Sequence, residues 1–267
     1  MKHTFAISAY GESEYLEDCI RSLKAQTVLS DIIICTSTPN GLITGTAERW
    51  GISLYVRSGS GSIGADWNFA VETAVRETGA ELVTVAHQDD MYRSEYVQAL
   101  LEAVGRYPDM SLFCTRCRTV DENGDKLHTR AEGVKRILRL PLRLRALSAL
   151  SPVKKIPLII GNGIACPTCT YNIHLTGMPL FGERYRFVVD WDTLLRLADR
   201  PGRFICEERE LVDYRVHPGA ETRKNIIDHN REREERELFL RIWPEPAVRL
   251  IMHFYKKAYR DYDADTD

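Results

Sequence analysis

Short apolar runs and longer amphipathic stretches alternate along the first 110 residues. The apolar runs are nearly continuous, as expected for strands that are buried on both faces of a parallel sheet. They predict four strands, at residues 4–8, 31–36, 52–56 and 82–86.

The stretches between these runs place apolar residues three and four positions apart. This spacing predicts amphipathic helices over residues 16–23, over 67–75 and after residue 94. Ser13 and Ser94 are candidate N-caps, and Gly79 suits a helix end. Strands that alternate with helices indicate an α/β fold with a doubly wound, mainly parallel sheet flanked by helices.

The second half of the chain is less regular. Residues 110–120 and 204–216 are predicted as strands, and residues 190–198 as a short helix. From residue 222 onward the pattern is helical and strongly charged, with a break at Pro244. These last segments predict C-terminal helical additions to the α/β fold.

Three polar clusters directly follow predicted strands, at residues 9–12, 36–40 and 87–90. The carboxyl ends of parallel strands share one edge of a sheet, where such folds bind ligands, so we expect the clusters to converge. Within them, Asp89 and Asp90 would repel each other unless a cation lies beside them. A divalent cation that also binds phosphate oxygens meets that need, whereas the alternative is an ordinary turn, in which Asp is also common.

Charge and composition narrow the class of protein. The 267 residues include 36 Lys and Arg against 38 Asp and Glu, so overall charge favours neither nucleic acid nor membrane as a partner. The N-terminus lacks a basic start followed by an apolar run, and no stretch has the length of a membrane span. Seven cysteines, mostly in apolar contexts, suit reduced thiols, so we expect a cytoplasmic protein.

Five segments in order resemble the family 2 glycosyltransferases, whose fold is of the GT-A type. They lie within residues 4–220 and are 7–12, 63–70, 87–92, 189–198 and 214–219. Their sequences are Ile-Ser-Ala-Tyr-Gly-Glu, Ile-Gly-Ala-Asp-Trp-Asn-Phe-Ala, His-Gln-Asp-Asp-Met-Tyr, Val-Asp-Trp-Asp-Thr-Leu-Leu-Arg-Leu-Ala and Tyr-Arg-Val-His-Pro-Gly. Each segment alone is a loose match, but their order and spacing together are specific.

The resemblance implies a nucleotide-sugar site along the strand ends. In the family the first strand end cradles the base, so Tyr10 would stack on it or flank it. The implied nucleotide-sugar ligands are Ala9, Tyr10, Glu12, Ser37, Asp66, Asn68, His87, Gln88 and Asp89. The implied ligands of a divalent cation, Mn²⁺ or Mg²⁺, are Asp89, Asp90 and His217.

Other roles stay open for several of these residues. The alternative for Glu12 is an exposed acidic residue in a loop. The alternative for His217 is a histidine that binds neither phosphate nor metal. Asp66 and Asn68 also suit the cap of the helix at Trp67.

Asp190 matches the family's catalytic base at a helix start, where the helix dipole favours an ionised carboxylate. The resemblance implies inverting transfer, in which Asp190 takes the proton of the acceptor hydroxyl as its oxygen attacks the anomeric carbon. Trp191 and Asp192 are expected to contact the acceptor. The alternative for Trp191 is core packing, and the alternative for Asp192 is the role of catalytic base. The alternative for Asp190 is a helix cap.

Two departures from the family pattern leave details open. The family usually carries an Asp at the end of the second strand, which recognises the base or ribose. Here that strand end reads Cys35-Thr36-Ser37 and offers hydroxyls instead of a carboxylate. His87 stands where many relatives have Asp, so both the nucleotide base and the number of metal ligands are undetermined.

The predicted activity is transfer of a hexose-like sugar from a nucleoside-diphosphate sugar, such as a UDP-sugar, to a hydroxyl of a glycan or lipid-linked acceptor. Analogy with the family suggests bacterial surface polysaccharide, for example lipopolysaccharide, as the acceptor. One alternative is a sugar nucleotidyltransferase, which would normally carry a Gly-rich phosphate loop after the first strand. The other is a non-catalytic relative that binds nucleotide or glycan.

We divide the chain into a GT-A domain over residues 1–220 and a helical extension over 221–267. Residues 1–90 form the predicted nucleotide-binding half of the domain, and residues 91–220 the acceptor-binding half. Within the second half, residues 134–155 hold seven Lys or Arg and no acid, interleaved with leucines. This segment is typical of a lid over the donor phosphates, of a peripheral contact with an anionic membrane surface, or of a solvated helical hairpin.

Overall fold

The computed structural model describes residues 1–59, 61–127, 130–217 and 230–264, with side chains described except at 130–131, 230 and 255–264. Eight strands form one sheet: β1 (His3–Ala9), β2 (Asp31–Thr36), β3 (Leu54–Val56), β4 (Leu82–His87), β5 (Met91–Tyr92), β6 (Met110–Val120), β7 (Thr170–Asn172) and β8 (Arg203–Arg215). Their order across the sheet is β3-β2-β1-β4-β7-β6-β8-β5.

Helices cover both faces of this sheet. They are α1 (Leu16–Lys24), α2 (Gly41–Trp50), α3 (Ile63–Thr78), α4 (Tyr96–Arg106), α5 (Arg130–Arg139), α6 (Ser151–Lys155), α7 (Ile173–Thr176), α8 (Val189–Ala198), α9 (Asn230–Leu240) and α10 (Glu245–Ala264).

The first half of the sheet is parallel, as the sequence predicts. β1 pairs in parallel with β2 and β4, and β2 pairs in parallel with β3. β7 then runs antiparallel to both β4 and β6, and β5 runs antiparallel to the end of β8, while β6 and β8 are parallel. The predicted α/β class and mainly parallel sheet are therefore confirmed, and the two antiparallel strands, β5 and β7, are short.

The buried core has two layers, one on each face of the sheet. In β1, Phe5 and Ile7 point into the layer under α1, α2 and α4, whereas Ala6 points into the layer under α3, α8, α9 and α10. This alternation follows from the two-residue period of a strand. It explains why the strands read as continuous apolar runs.

The ends of the helices test the predicted caps. Gly79 ends α3 in the left-handed conformation, as predicted. The predictions for Ser13 and Ser94 are wrong, because α1 begins at Leu16 and α4 at Tyr96, and neither start has a side-chain cap. The hydroxyl of Ser13 donates to Asp89 Oδ1 at 2.7 Å and accepts from the Tyr15 N–H at 3.4 Å, in the turn before α1.

The basic segment 134–155 docks on the sheet and is not a solvated hairpin. Phe204 at the start of β8 donates its backbone N–H to Ser148 O at 3.0 Å. Leu142 is fully buried, although the outward-facing Val134 and Ile137 are exposed.

The C-terminal extension packs on α8, where the ring of Phe239 lies 5.0 Å from that of Trp191. The predicted domain boundary at residue 220 and the predicted helix start at 222 lie outside the described residues. Among the described helices, none combines the length and the apolar character needed to cross a membrane.

Candidate active site

The carboxyl ends of β1, β2 and β4 lie side by side. The strand register pairs Ser8 with His87 and Ala9 with Thr36. The three polar clusters therefore converge at one edge of the sheet, as predicted. Ala9 is buried, so it can contribute only its backbone to a ligand.

A reciprocal amide pair fixes the loop after β1. The Tyr10 N–H donates to Gln88 Oε1 at 3.1 Å, and Gln88 Nε2 donates to Tyr10 O at 2.8 Å. Gly11 follows with φ of 62°, a conformation that favours glycine, and its N–H donates to Thr38 Oγ1 at 2.7 Å. The Tyr10 side chain stays 54% exposed, which leaves its face open to a base, and Glu12 is exposed.

The end of β2 has a carboxylate after all, delivered from α3. Ser37 Oγ donates to Asp66 Oδ2 at 3.0 Å, and Arg57 Nε donates to Asp66 Oδ1 at 2.7 Å. The strand lacks its own Asp, but the first turn of α3 brings Asp66 to the same place. Sequence reasoning missed Arg57, which fixes the orientation of this carboxylate.

Asp89 is the half-buried member of the carboxylate pair. Its Oδ1 accepts a hydrogen bond from Ser13 Oγ at 2.7 Å, and its Oδ2 lies 3.3 Å from His217 Nε2. That nitrogen is buried and is not aligned with a hydrogen-bond partner within the described part of the chain. A carboxylate oxygen and an imidazole nitrogen thus lie side by side at the sheet edge.

Asp90 is buried, with only one of its oxygens satisfied. The Arg215 N–H donates to Asp90 Oδ1 at 2.9 Å, whereas Oδ2 has no hydrogen-bond partner among the described residues. His87 Nδ1 lies 3.9 Å from that Oδ2. Burial raises the pKa of Asp90 well above its usual range and lowers the pKa of His87 to about 4. Burial thus favours the uncharged form of both side chains.

The pairing of β5 with β8 creates this cluster. Met91 in β5 pairs with Asp213 in β8, so the residues just beyond β8 meet those just before β5. Arg215 thereby reaches Asp90, and its guanidinium lies 4.2 Å above the Tyr15 ring. Tyr15 also packs on the imidazole of His217, with 4.8 Å between ring centroids.

These side-chain oxygen and nitrogen atoms fit a hard divalent cation whose remaining ligands are diphosphate oxygens. No group of three His, Cys, Asp or Glu side chains in the described ranges forms a preformed metal cage. Mg²⁺ in nucleotide sites usually takes only one or two carboxylates, and phosphate and water oxygens complete its shell. The unpaired Asp90 Oδ2 and the Asp89–His217 contact supply such a partial set.

Asp190 lies in the first turn of α8 and is half-buried. Asn162 Nδ2 donates to Asp190 Oδ2 at 2.7 Å, and Asn162 Oδ1 accepts from the Ile164 N–H at 3.2 Å. Burial raises the pKa of Asp190 to about 6, although the Trp191 backbone N–H, the charge of Lys135 and the Asn162 hydrogen bond act in the opposite direction. A carboxylate with this pKa is ionised at neutral pH and basic enough to accept a proton.

Asp190 and Asp90 both lie near the buried thiol of Cys166. Burial raises the pKa of the Cys166 thiol, and the negative charges of Asp190 and Asp90 raise it further. Cys166 therefore lies within electrostatic range of both carboxylates. The described structure thus holds two separate carboxylate sites, the Asp89–Asp90 pair beyond β4 and Asp190 in the first turn of α8.

Residues 4–161, more than half of the chain, match the family described as Glycosyl transferase family 2. The chain belongs to this glycosyltransferase family. The match includes the segments with Tyr10, Asp66 and Asp89, whereas the segment with Asp190 lies beyond it. No functionally curated protein matches this chain in sequence.

Solved structures share the fold of this family member at low sequence identity. Staphylococcus aureus TarS 1–349 matches with a TM-score of 0.58 and 15% identity over 80% of this chain and 60% of that chain. The same fragment in complex with UDP-GlcNAc matches with a TM-score of 0.60 and 13% identity over 98% and 73%. Mannosyltransferase PcManGT from Pyrobaculum calidifontis, in complex with GDP-Man and Mn²⁺, gives 0.61 and 14% over 97% and 69%.

These similarities show the GT-A fold, as predicted. In the first match the chain spans less than two thirds of the TarS fragment. The similarity therefore shows a shared fold. It does not show which substrates this chain uses.

Two residues expected at the acceptor have structural roles in this chain. Trp191 is 2% exposed, and its Nε1–H donates to Leu158 O at 2.8 Å. Asp192 is 7% exposed, and its carboxylate is held by Arg196 at 3.2 Å and by Arg241. The structure therefore places Trp191 in core packing and Asp192 in buried ion pairs.

Asn68 also has a structural role. Its Nδ2 donates to Phe181 O at 2.9 Å, and its Oδ1 accepts from the N–H groups of Leu180 and Phe181 at 3.0 and 2.8 Å. These bonds occupy both ends of the amide and join α3 to the segment before α8. Asn68 is thus neither a helix cap nor open to a donor.

Proposed function

We propose that this glycosyltransferase moves a sugar, with inversion, from a nucleoside-diphosphate sugar to a hydroxyl of a glycan or lipid-linked acceptor. The observation that carries the proposal is that the carboxylates Asp89 and Asp90 lie with His217 at the strand ends, while Asp190, held by Asn162 at 2.7 Å, is a separate carboxylate in the first turn of α8. Two separate carboxylate sites allow different groups to perform proton transfer and charge neutralisation, and glycosyl transfer needs both.

The donor lies along the strand ends in this proposal. Tyr10 flanks the base, and Asp66, held by Ser37 and Arg57, is the hydrogen-bond acceptor for the base or ribose. TarS was solved with UDP-GlcNAc and PcManGT with GDP-Man and Mn²⁺, which supports the nucleotide-sugar class of donor. Asp89, Asp90 and His217 would hold a divalent cation, which supplies positive charge to the leaving diphosphate.

Asp190 performs the proton chemistry. The acceptor oxygen forms a bond to the anomeric carbon while the bond from that carbon to the diphosphate oxygen breaks. The acceptor proton passes to the carboxylate of Asp190, which Asn162 orients from 2.7 Å. The acceptor itself remains a family-level expectation, bacterial surface polysaccharide made on the cytoplasmic side of a membrane.

A thermal-shift screen of nucleoside diphosphates tests this proposal. UDP or GDP with Mn²⁺ or Mg²⁺ is expected to stabilise the protein by about 2.7 kcal/mol at a hundredfold excess over Kd. The shift should need both nucleotide and metal, and the matching nucleotide sugar should be hydrolysed slowly without acceptor. ADP with the same metals is the control. If no nucleotide and metal combination shifted the midpoint and no sugar nucleotide were hydrolysed, the enzyme proposal would fail.

We further propose that residues 134–155 contact an anionic membrane surface. Val134 and Ile137 lie one helical turn apart on α5 and are 54% and 66% exposed, and Leu144 is 60% exposed. The segment carries no acid, and Arg136 next to this apolar face is exposed. Exposed apolar side chains with cations beside them are typical of peripheral contact with anionic lipid.

Vesicle co-sedimentation tests this contact. The protein is expected to bind vesicles that contain phosphatidylglycerol and to leave them as salt rises, with little binding to neutral vesicles. Ile137→Glu should reduce binding by about tenfold, since a charge replaces apolar surface at the contact. Leu29→Glu is the matched control, because Leu29 is 85% exposed in a different part of the chain. Equal binding by wild type and Ile137→Glu would exclude this contact.

A further inference from the structure

A buried carboxylate of the C-terminal extension holds the turn that leads into α8. Glu234 in α9 is 4% exposed. Its Oε2 accepts from the N–H groups of Phe187 and Val188 at 2.7 and 3.3 Å, and its Oε1 accepts from the N–H of Arg186 at 3.0 Å. Three consecutive backbone amides thus bind one carboxylate that comes from a distant part of the chain.

This contact replaces a local helix cap. The residue before α8 is Val188, whose side chain caps nothing, and hydrogen bonds from the turn go to Glu234 instead. A negative charge near a helix N-terminus is favourable, and charge-assisted bonds to amides are short and directional. Because Asp190 comes two residues after Val188, the position of this turn sets the position of the Asp190 carboxylate.

The same extension also holds the segment that carries Asn162. Trp243 Nε1–H donates to Ile159 O at 2.6 Å, three residues before Asn162. Phe239 packs on Trp191, the residue that follows Asp190. The extension therefore contacts both partners of the Asn162–Asp190 hydrogen bond through their neighbours.

We propose that Glu234 is a positioning residue for Asp190, so that the C-terminal extension is part of the catalytic apparatus. The inference rests on the proposed role of Asp190 as the base. A displacement of about 1 Å in a reacting group can lower the rate roughly a hundredfold. The Glu234 carboxylate, which fixes this turn, is therefore expected to affect the rate of catalysis.

The test replaces Glu234 by Gln in the full chain. Gln keeps one oxygen acceptor, but its NH₂ group cannot accept from the amides that Oε2 binds. We expect kcat for acceptor-dependent transfer to fall by about tenfold or more, with the donor Kd within about twofold of wild type. Glu237→Gln is the matched control, since Glu237 lies on the same helix in a surface ion pair with Arg184.

A double variant separates positioning from a general structural role. If Glu234 acts through Asp190, Glu234→Gln should slow the wild type but have little further effect in an Asp190→Asn background. An equal loss in both backgrounds, or a loss of donor affinity that parallels a lower unfolding midpoint, would overturn the positioning role. If Asp190→Asn itself kept full transfer, the proposed base would be wrong, whatever Glu234 does. Normal transfer by Glu234→Gln beside an inactive Asp190→Asn would refute this inference alone.

Discussion

Asp190→Asn is expected to lower kcat for acceptor-dependent transfer by about a thousandfold, with donor binding intact. Asn has nearly the same shape and can stay in the first turn of α8, but its amide cannot take the acceptor proton. The Asp190 side chain is oriented by Asn162 and lies apart from the Asp89–His217 contact, so its loss should not disturb the donor.

Asp199→Asn is the matched control for this variant. Asp199 follows the same helix and pairs with Lys155, and its side chain is 59% exposed. Steady-state transfer and nucleotide binding should be measured on both variants. Retained transfer in Asp190→Asn would remove Asp190 from the base role, and lost nucleotide binding would reassign it to the donor side.

The pH dependence of kcat/KM provides a second measurement on the same residue. Only the ionised Asp190 can accept a proton, and burial places its pKa at about 6. The rate should therefore be level above that pH and fall about tenfold per unit below it. A rate that is level down to pH 4 would mean that another group takes the proton.

Asp89→Asn is expected to weaken metal-dependent nucleotide binding by about tenfold or more and to lower transfer by about a hundredfold. The substitution removes the negative charge at the proposed cation site beside His217, while an amide oxygen can still accept the hydrogen bond from Ser13. The fold should be retained, since Asp89 is only half-buried.

Calorimetric titration of the nucleotide with and without Mn²⁺ measures this effect. A chelator should produce the same loss in the wild type, and added Mn²⁺ should restore binding there but not in Asp89→Asn. Asp109→Asn serves as the control, because Asp109 pairs with Arg203 at the surface. If wild-type nucleotide binding did not depend on metal and Asp89→Asn bound the nucleotide normally, the proposed role of the cation would be wrong.

Local signals in the sequence predict much of the fold. β2 and β6 occupy the predicted residues, and the parallel order around β1 follows from the alternation of strands and helices. Helix α2 was missed although its signals are present. The Asn40 side chain accepts from the Ile43 N–H at 2.9 Å, and Gly51 ends the helix with φ of 60°.

The candidate site was predictable where a motif is local and adjoins a strand end. Asp89 and Asp90 come one residue after the end of β4, so the parallel register carries them to the edge where Tyr10 also lies. Asn68 was misjudged for the opposite reason. Its position in the sequence suits a helix cap or a ligand contact. The segment before α8 packs against it, however, and forms hydrogen bonds with both its amide nitrogen and its amide oxygen.

By itself, the sequence determined the strand and helix periods, the family, and the candidate residues that lie in local motifs. The partner of each candidate was decided only by the tertiary structure. Asp66 reaches the end of β2, Asn162 reaches Asp190, and Glu234 reaches the turn before α8. Each of these contacts joins elements far apart in the chain, and their geometry depends on how whole helices pack on the sheet. Residue spacing along the sequence shows which helix or strand a side chain belongs to and on which face it lies. The partner of that side chain depends on which other element packs against the face.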